Sequence, residues 1–217
     1  MSHDPYGGRG PTAHERRAGQ PWDASYRNGP APWDIGAPQP AVVRLADAGV
    51  LGGAVLDAGC GTGENARYLA AHGSRVLGID VAETAVSIAR ERAATRELDV
   101  EFIVGDALHL DRLGRAFETV LDCALFHALD HDEREQYVAG LEAVTRPGAR
   151  LYLLCFGDED PDCAGPHPVS QDELAAPFRD RRRWSIVSIG PERLLARFAP
   201  DGVPAWLATI ERHQQDA

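Results

Sequence analysis

Residues 55–63 read VLDAGCGTG, and residues 75–80 read RVLGID. The first run is an apolar strand that ends at Asp57 and continues into a turn with glycines at positions 59, 61 and 63. Alternate glycines let the backbone approach a ligand closely and leave free N–H groups at the start of the next helix. Asp80 ends the second strand, where a carboxylate can accept from both hydroxyls of a ribose. This stretch therefore predicts a site for a nucleoside-containing cofactor.

Strands and helices alternate along most of the chain. The predicted strands are short, nearly continuous apolar runs, as a parallel sheet covered on both faces requires. The last two strands have no long helix between them, so we expect them to pair antiparallel at one edge. The pattern predicts an α/β fold with one doubly wound, mostly parallel sheet of seven strands. We predict helices over residues 41–48, 63–72, 83–96, 132–145 and 171–178, and strands over residues 54–57, 75–80, 100–104, 119–123, 150–156, 184–189 and 205–211.

The chain divides into three parts. Residues 1–20 carry Gly, Pro, His and Arg with almost no aliphatic side chain, which predicts a disordered tail. Residues 21–40 are too aromatic for a linker and too rich in proline for a strand or a long helix. We expect them to form a lid segment that packs on the body. Residues 41–217 then form a single domain, since this length suits one core.

Composition argues against several classes of function. The formal net charge of −11 opposes binding to nucleic acid, which normally needs a basic face. No apolar run approaches the roughly 18 residues that span a bilayer, so we expect no membrane partner. The N-terminus lacks the apolar stretch of a secretory signal, which favours the cytoplasm. No two cysteines form a CxxC pair, so we expect small core residues and no disulfide or metal site. The cysteines are Cys60, Cys123, Cys155 and Cys163.

Carboxylates follow four successive predicted strands, at Asp57, Asp80, Asp106 and Asp122. In an open α/β sheet, a ligand lies beyond the carboxyl ends of the strands. Any single aspartate there can also be a solvent-facing turn residue. The four together, beside the glycine turn, favour a ligand site.

With these motifs the chain resembles the class I S-adenosylmethionine-dependent methyltransferases. The resemblance rests on the glycine turn, on Gly78-Ile79-Asp80, on Gly105-Asp106-Ala107-Leu108 and on Asp122-Cys123-Ala124-Leu125. It implies the Rossmann-like methyltransferase fold and S-adenosylmethionine as cofactor. It implies further that the three glycines wrap the methionyl part, Asp80 holds the ribose, and Asp106 with Ala107 meets the adenine. The other motif residues expected in the cofactor site are Asp57, Cys60 and Asp122.

A second resemblance narrows the group. Residues 32–40 read PWDIGAPQP and resemble the W-D-x-G-x-P-x-P segment of the halide/thiol and thiopurine methyltransferases. Actinobacterial methyltransferases of small heterocyclic or phenolic toxins are similar there and through residues 165–170, GPHPVS. The likeness implies that the lid segment covers the cofactor and a small-molecule acceptor. Trp33 would face the sulfonium cation, which aromatic rings stabilise, or would anchor the tail as an apolar plug. For Trp22 and Tyr26, acceptor contact and anchoring stay equally open.

His127 is the candidate catalytic residue, because it lies just past the fourth predicted strand, where the acceptor must sit. A nearby imidazole would raise the anionic fraction of a thiol or phenol. The alternative is a polar residue that orients the next helix. Phe126 is expected as a pocket wall, and His167 as a further acceptor-site residue.

The sequence thus predicts an enzyme that transfers a methyl group to a thiol, or to a phenolic or heterocyclic hydroxyl, by in-line displacement. One alternative is an NAD-dependent oxidoreductase on the same fold, since a glycine turn and a ribose-binding carboxylate serve both cofactors. The turn spacing and the terminal hairpin argue against it. Another is a non-catalytic S-adenosylmethionine-binding module, which turnover would exclude.

Overall fold

The computed structural model describes residues 6, 8–159, 167–180 and 182–213. These form one sheet with helices on both faces. The strands are β1 (Ala54–Ala58), β2 (Arg75–Asp80), β3 (Val100–Val104), β4 (Phe117–Cys123), β5 (Thr145–Phe156), β6 (Trp184–Ala196) and β7 (Ala199–Arg212). The α-helices are α1 (Ala13–Ala18), α2 (Pro40–Asp47), α3 (Glu64–Ala71), α4 (Glu83–Ala94), α5 (His131–Val144) and α6 (Gln171–Ala175). Short 3₁₀ helices cover Trp22–Ser25, Ala107–Leu113, Phe126–Ala128 and Ala176–Phe178.

The sheet has the strand order β3-β2-β1-β4-β5-β7-β6. Strand β1 pairs parallel with β2 on one side and with β4 on the other. The last two strands are antiparallel, with β7 between β5 and β6. The predicted α/β architecture with an antiparallel C-terminal edge is confirmed. The strand order reverses between β1 and β4, so a crevice opens there at the carboxyl ends of the strands.

The predicted bounds of β2 and β3 match the structure, whereas the late strands are longer than predicted. Strands β6 and β7 have 13 and 14 residues and pair over most of their length, through polar and proline-containing stretches. Antiparallel pairing joins backbone to backbone, so the ladder continues after the apolar pattern ends. Strand β5 begins at Thr145, five residues before the predicted start at Arg150, because Thr145 pairs parallel with Phe117 of β4 ahead of a register shift.

The N-terminal region contains a helix that the sequence analysis did not predict. Helix α1 begins with a capping box, in which the Thr12 side chain accepts from the Glu15 backbone and the Glu15 carboxylate accepts from the Thr12 backbone. Glu15 is fully buried and also accepts from the Arg9 guanidinium at 2.6 and 2.5 Å and from the Trp22 backbone N–H at 2.9 Å. A buried carboxylate with this many donors is well satisfied.

The prediction of a disordered tail over residues 1–20 is therefore wrong for Ala13–Ala18. Aliphatic content underestimates order here, because the segment is organised around a buried polar group and not around apolar burial. Residues 1–5 and 7 lie outside the described residues.

Apolar side chains are buried on both faces of the sheet. Leu69 and Phe102 lie in one cluster, and Leu141 and Trp184 lie in the other. Cys155 is buried, Cys60 and Cys123 are half-buried, and all three are free thiols. Cys163 lies outside the described residues. No helix in the described ranges is both long and apolar enough to cross a membrane.

Candidate active site

The glycine turn follows β1 and is tied to the end of β2. Gly59 and Gly61 have φ angles of 72° and 53°, which side chains other than glycine rarely adopt. The Gly59 N–H donates to the Ile79 carbonyl at 2.9 Å, and the Gly61 N–H donates to the Asp80 carboxylate at 2.8 Å. The second oxygen of Asp80 accepts from the Ala82 N–H at 2.8 Å. Asp80 therefore holds the turn and the β2 end in one geometry.

A large cavity opens above this turn, at the carboxyl ends of β1, β2 and β4. It brings together most of the residues that the sequence singled out. The acidic side chains of Asp80 and Asp106 line it, together with aromatic rings and imidazoles. The predicted site residues that line it are Trp22, Tyr26, Trp33, Gly59, Cys60, Gly61, Asp80, Asp106, Ala107, His127 and His167.

Four predicted residues lie behind the cavity wall. Asp57 and Asp122 are 1% and 0% exposed, and burial raises the pKa of each to about 7. Asp122 accepts from the Leu125 and Phe126 N–H groups at 3.1 and 3.2 Å, which shapes the loop after β4. Neither carboxylate lines the cavity, and the register of β1 and β4 places the two on opposite faces of the sheet, so their ligand contacts stay predictions.

Gly63 and Phe126 also lie outside the cavity lining, and their roles stay predictions. Gly63 immediately precedes α3, where an added Cβ would lie 2.6 Å from the Phe102 ring. Phe126 is fully buried and stacks on Phe178 with ring centroids 6.4 Å apart. Motif spacing cannot separate a residue that faces a ligand from one that packs under the turn.

The strand end of β3 supplies the other acidic group of the cavity. One Asp106 oxygen accepts from the Leu108 N–H at 2.9 Å, and the other lies 3.1 Å from His109 Nδ1. These contacts hold the carboxylate at the start of the following 3₁₀ helix, with Ala107 beside it in the cavity wall.

Four aromatic residues, His14, Trp22, Tyr26 and Trp33, form one wall of the cavity. The His14 and Trp22 rings stack with centroids 4.0 Å apart, and Trp33 meets Trp22 edge-on at 5.4 Å. The Trp33 indole N–H donates to the Tyr26 hydroxyl at 2.8 Å. Burial raises the pKa of Tyr26 well above its ordinary value, so its hydroxyl stays protonated. His14 lines the cavity but was not predicted from the sequence, because the low aliphatic content of residues 1–20 indicated disorder.

Hydrogen bonds connect the lid segment to the glycine turn, to the start of α3 and to the β6–β7 hairpin. The Thr62 hydroxyl donates to Asp34 at 2.9 Å, so the W-D motif contacts the turn directly. The Gln39 N–H donates to the Asn65 side chain at 2.9 Å. The Gln39 amide also exchanges two 2.9 Å hydrogen bonds with the Leu195 backbone. Asp34 lay within the quoted motif, but only the fold shows which residue it binds.

We expect Asp34→Ala and Thr62→Val each to weaken S-adenosylhomocysteine binding, because either change detaches the lid segment from the turn. The double variant should bind S-adenosylhomocysteine about as well as whichever single variant binds it less tightly. The coupling energy between the two substitutions should then be about 1 kcal/mol. Calorimetric titration of all four proteins measures the cycle. Strictly additive losses would mean that the contact does not connect lid and turn.

His127 lies in the 3₁₀ helix after β4 and is 7% exposed. Its ring stacks on Phe156 with centroids 4.2 Å apart. Its Nδ1 atom accepts from the Phe156 backbone N–H at 3.2 Å. Burial, together with the nearby His167, Arg134 and His14, lowers the pKa of His127 to about 3. The imidazole is therefore neutral at physiological pH.

The turn and Asp80 fit a nucleoside-containing ligand. A Cβ on Gly61 would lie 3.2 Å from the Tyr26 hydroxyl, so only glycine leaves the backbone accessible beneath the lid segment. One oxygen each of Asp57 and Asp122 is buried beneath the turn without a hydrogen-bond partner in the described ranges. Within the part of the chain that the structure describes, no group of three or more His, Cys, Asp or Glu residues could hold a metal ion.

Comparison with known proteins identifies related chains. Residues 55–148 match a family model described as a methyltransferase domain. The 2-heptyl-1-hydroxyquinolin-4(1H)-one methyltransferase of Mycobacteroides abscessus is 39% identical over 168 residues, which cover 76% of this chain and 73% of the relative. Probable thiol methyltransferase 2 of Arabidopsis thaliana is 28% identical and covers 70% and 68% of the two chains.

A solved structure also matches over most of its length. It is described as "Conversion of a Disulfide Bond into a Thioacetal Group during Echinomycin Biosynthesis". The superposition has a TM-score of 0.81 at 36% identity, and it covers 90% of this chain and 91% of the other. The similarity therefore includes the N-terminal and C-terminal regions that flank the family match.

Proposed function

The chain belongs to the S-adenosylmethionine-dependent methyltransferases that act on small molecules, and on this premise we propose that its acceptor is an ionisable hydroxyl on a planar heteroaromatic ring. The NAD-dependent oxidoreductase of the sequence analysis is set aside, since the family uses S-adenosylmethionine. A thiol is the second candidate, because a thiol methyltransferase is among the relatives.

The observation that carries this proposal is the aromatic wall of the cavity. His14, Trp22 and Trp33 present ring faces and edges, and His127 presents a neutral imidazole. Such surfaces favour stacking of a flat ring and offer only a few polar contacts to orient it. The Mycobacteroides abscessus relative is named for a hydroxyquinolinone, an acceptor of this class.

Each part of the cavity has a role in this proposal. When bound, S-adenosylmethionine supplies an electrophilic methyl group on a sulfonium cation. Asp80 would accept from the ribose hydroxyls, and Asp106 with Ala107 would contact the adenine. Backbone groups of the glycine turn would hold the methionyl part. Trp33 would present its ring to the cation, since aromatic faces attract positive charge.

The lid segment would keep water out during transfer. Trp22, Tyr26 and Trp33 contact one another across the top of the cavity. Exclusion of water strengthens electrostatic contacts within the site and leaves the acceptor as the only nucleophile. Positioning of the acceptor in line with the methyl group then supplies much of the acceleration.

The net charge of −11 supports a small-molecule acceptor over nucleic acid. Three free thiols support a reducing compartment, the cytoplasm, as the place of the reaction.

A methyl-acceptor panel tests the proposal. The wild-type protein is incubated with radiolabelled S-adenosylmethionine and matched heteroaromatic hydroxyls, simple phenols, aromatic thiols and halides. We expect the heteroaromatic hydroxyls to give the highest kcat/KM, with S-adenosylhomocysteine formed in equal amount. Preference for thiols would favour the second candidate, and binding of S-adenosylmethionine without turnover of any acceptor would indicate a non-catalytic module.

A further inference from the structure

The Nδ1 atom of His127 is already engaged. The Phe156 N–H donates to it, so Nδ1 bears no proton, and a neutral imidazole must carry its proton on Nε2. Phe156 is 3% exposed within β5, and its ring stacks on the imidazole, so both the backbone donor and the ring plane are held in place. The tautomer follows from this hydrogen bond.

Because Nδ1 is occupied, Nε2–H is the polar group of the ring that is available to a ligand. His127 lines the large cavity and also an adjoining polar pocket between α5 and α6. In the described ranges no protein group bonds to Nε2, although the side chain is more than nine-tenths buried. Nε2 is not among the buried atoms that lack a partner, so it is open to the cavity, where a ligand atom can accept from it.

Arg134 on α5 is a positive charge near the imidazole. His14 on α1 and His167 before α6 also lie near it, but burial lowers the pKa of each, so both are mainly neutral at physiological pH. Arg134 is held by the Phe126 carbonyl at 3.3 Å and lies over the Phe126 ring at 4.8 Å. The adjoining pocket also contains Arg17 and His131, together with the acidic Asp130 and Glu173.

Both acidic groups of the adjoining pocket are already engaged. Asp130 pairs with Arg16 at 2.7 Å and caps α5 by accepting from Glu133 at 3.0 Å. Glu173 accepts from the Ser170 N–H and hydroxyl, both at 2.9 Å. Arg17 and Arg134 are therefore the positive charges of this region that remain to act on a ligand.

We propose that His127 acts as a hydrogen-bond donor and not as a base, and that its Nε2–H holds the acceptor oxygen in the ionised state. This inference rests on the proposed function, because it requires an ionisable hydroxyl. The acceptor arrives without its proton, its oxygen forms a bond to the methyl carbon, and the carbon–sulfur bond breaks with its electron pair remaining on sulfur. An anion and a cation become two neutral products, so no proton needs a base.

A hydrogen bond to the anion selects that form. The donor stabilises a charged oxygen more than a neutral hydroxyl, so binding lowers the pKa of the acceptor in the site. Acceptors that ionise near neutral pH are therefore the preferred substrates. A base at Nε2 would need a free lone pair there, which the tautomer does not provide.

Two substitutions of His127 distinguish a hydrogen-bond donor from a general base. His127→Gln retains an N–H donor near the position of Nε2 but cannot take up a proton, whereas His127→Leu removes both functions. We expect the Gln variant to keep kcat/KM within about threefold and the Leu variant to lose about 10- to 100-fold, the range for a hydrogen bond to a charged group. His72→Gln, exposed at the end of α3, is the matched control. S-adenosylhomocysteine binding by each variant, measured by calorimetry, reports whether the fold is intact.

A pH series on the wild-type protein tests the inference without any substitution. With acceptor hydroxyls of graded pKa, the midpoint of the kcat/KM profile should follow the pKa of the free acceptor. The midpoint of the kcat profile, which reports the bound acceptor, should move to higher pH in His127→Leu. Equal losses in the Gln and Leu variants, or a midpoint that stays constant across the acceptors, would overturn the donor role. A wild-type protein that methylates thiols but no hydroxyl would instead overturn the proposed function, and this inference with it.

Discussion

Replacement of Asp80 by alanine is expected to weaken S-adenosylhomocysteine binding by about 100-fold or more. The carboxylate accepts from Gly61 and Ala82 and has its remaining capacity directed to the cavity. Hydrogen bonds to a charged group contribute about 1.5–3 kcal/mol each, so loss of two ribose contacts alone accounts for that factor. Isothermal titration calorimetry measures it directly. Asp99→Ala, an exposed carboxylate just before β3, should bind as wild type does.

The pH dependence of the same titration provides an independent check. Burial raises the pKa of Asp80 in the ligand-free protein. The ionised form is the one that accepts from two hydroxyls, so affinity should fall as pH falls through this raised pKa, at a higher pH than for a surface aspartate. Asp80→Asn should lie between wild type and Asp80→Ala and lose the pH dependence. Wild-type affinity in Asp80→Ala would mean that the ribose is held elsewhere.

Replacement of Gly78 by alanine is expected to lower the free energy of unfolding by about 2–3 kcal/mol, the upper part of the range for overpacking a core. A Cβ at this position in β2 would lie 2.6 and 2.7 Å from two atoms of the Phe102 ring and 2.9 Å from Cys60 Sγ. The φ angle is not positive, so the cost arises from volume alone. Gly190→Ala in β6, with no atom within 4 Å of the new Cβ, is the matched control and should change stability by less than about 0.5 kcal/mol.

Urea unfolding of both glycine variants measures the difference, and a second substitution identifies its cause. In the double variant Gly78→Ala/Phe102→Leu, the smaller side chain at position 102 makes room for the new Cβ. The Gly78→Ala substitution should therefore lower the free energy of unfolding less in the Phe102→Leu background than in the wild type, although Phe102→Leu by itself also destabilises the protein. If Gly78→Ala unfolds like Gly190→Ala, the Phe102 ring must be able to move aside. The prediction also matters for the site, since Phe102 supports the glycine turn from below at Gly63.

The elements nearest the glycine turn were the most predictable. Strand β2 has four consecutive buried residues, and β3 is a short, mainly apolar run that ends before Gly105, so hydrophobicity marks their bounds. The late strands β6 and β7 were predicted too short, because pairing between backbones carries them past their apolar residues. Helix α1 was missed, since its order depends on Glu15, a buried carboxylate whose partners include Arg9 and Trp22.

Some features of the candidate site could likewise be predicted from the sequence, and others could not. That Gly61 and Asp80 lie together was predictable, because adjacent parallel strands end at the same edge of the sheet. That Asp57 and Asp122 lie beneath the wall was not, because strand-end position does not specify which way a side chain points. The contact between Asp34 and Thr62, 28 residues apart, required the lid segment to be folded onto the turn.

The sequence by itself determined the class of fold, the turn that receives the cofactor and the family to which the chain is related. These depend on local patterns, namely apolar runs, glycines and the residues that follow each strand. Only the tertiary structure decided which carboxylates face the cavity, how the N-terminal region closes it and which nitrogen of His127 carries the proton. The last depends on a backbone N–H 29 residues away in β5. Chemistry at a buried side chain is set by the groups that folding brings beside it, and those groups are distant in the sequence.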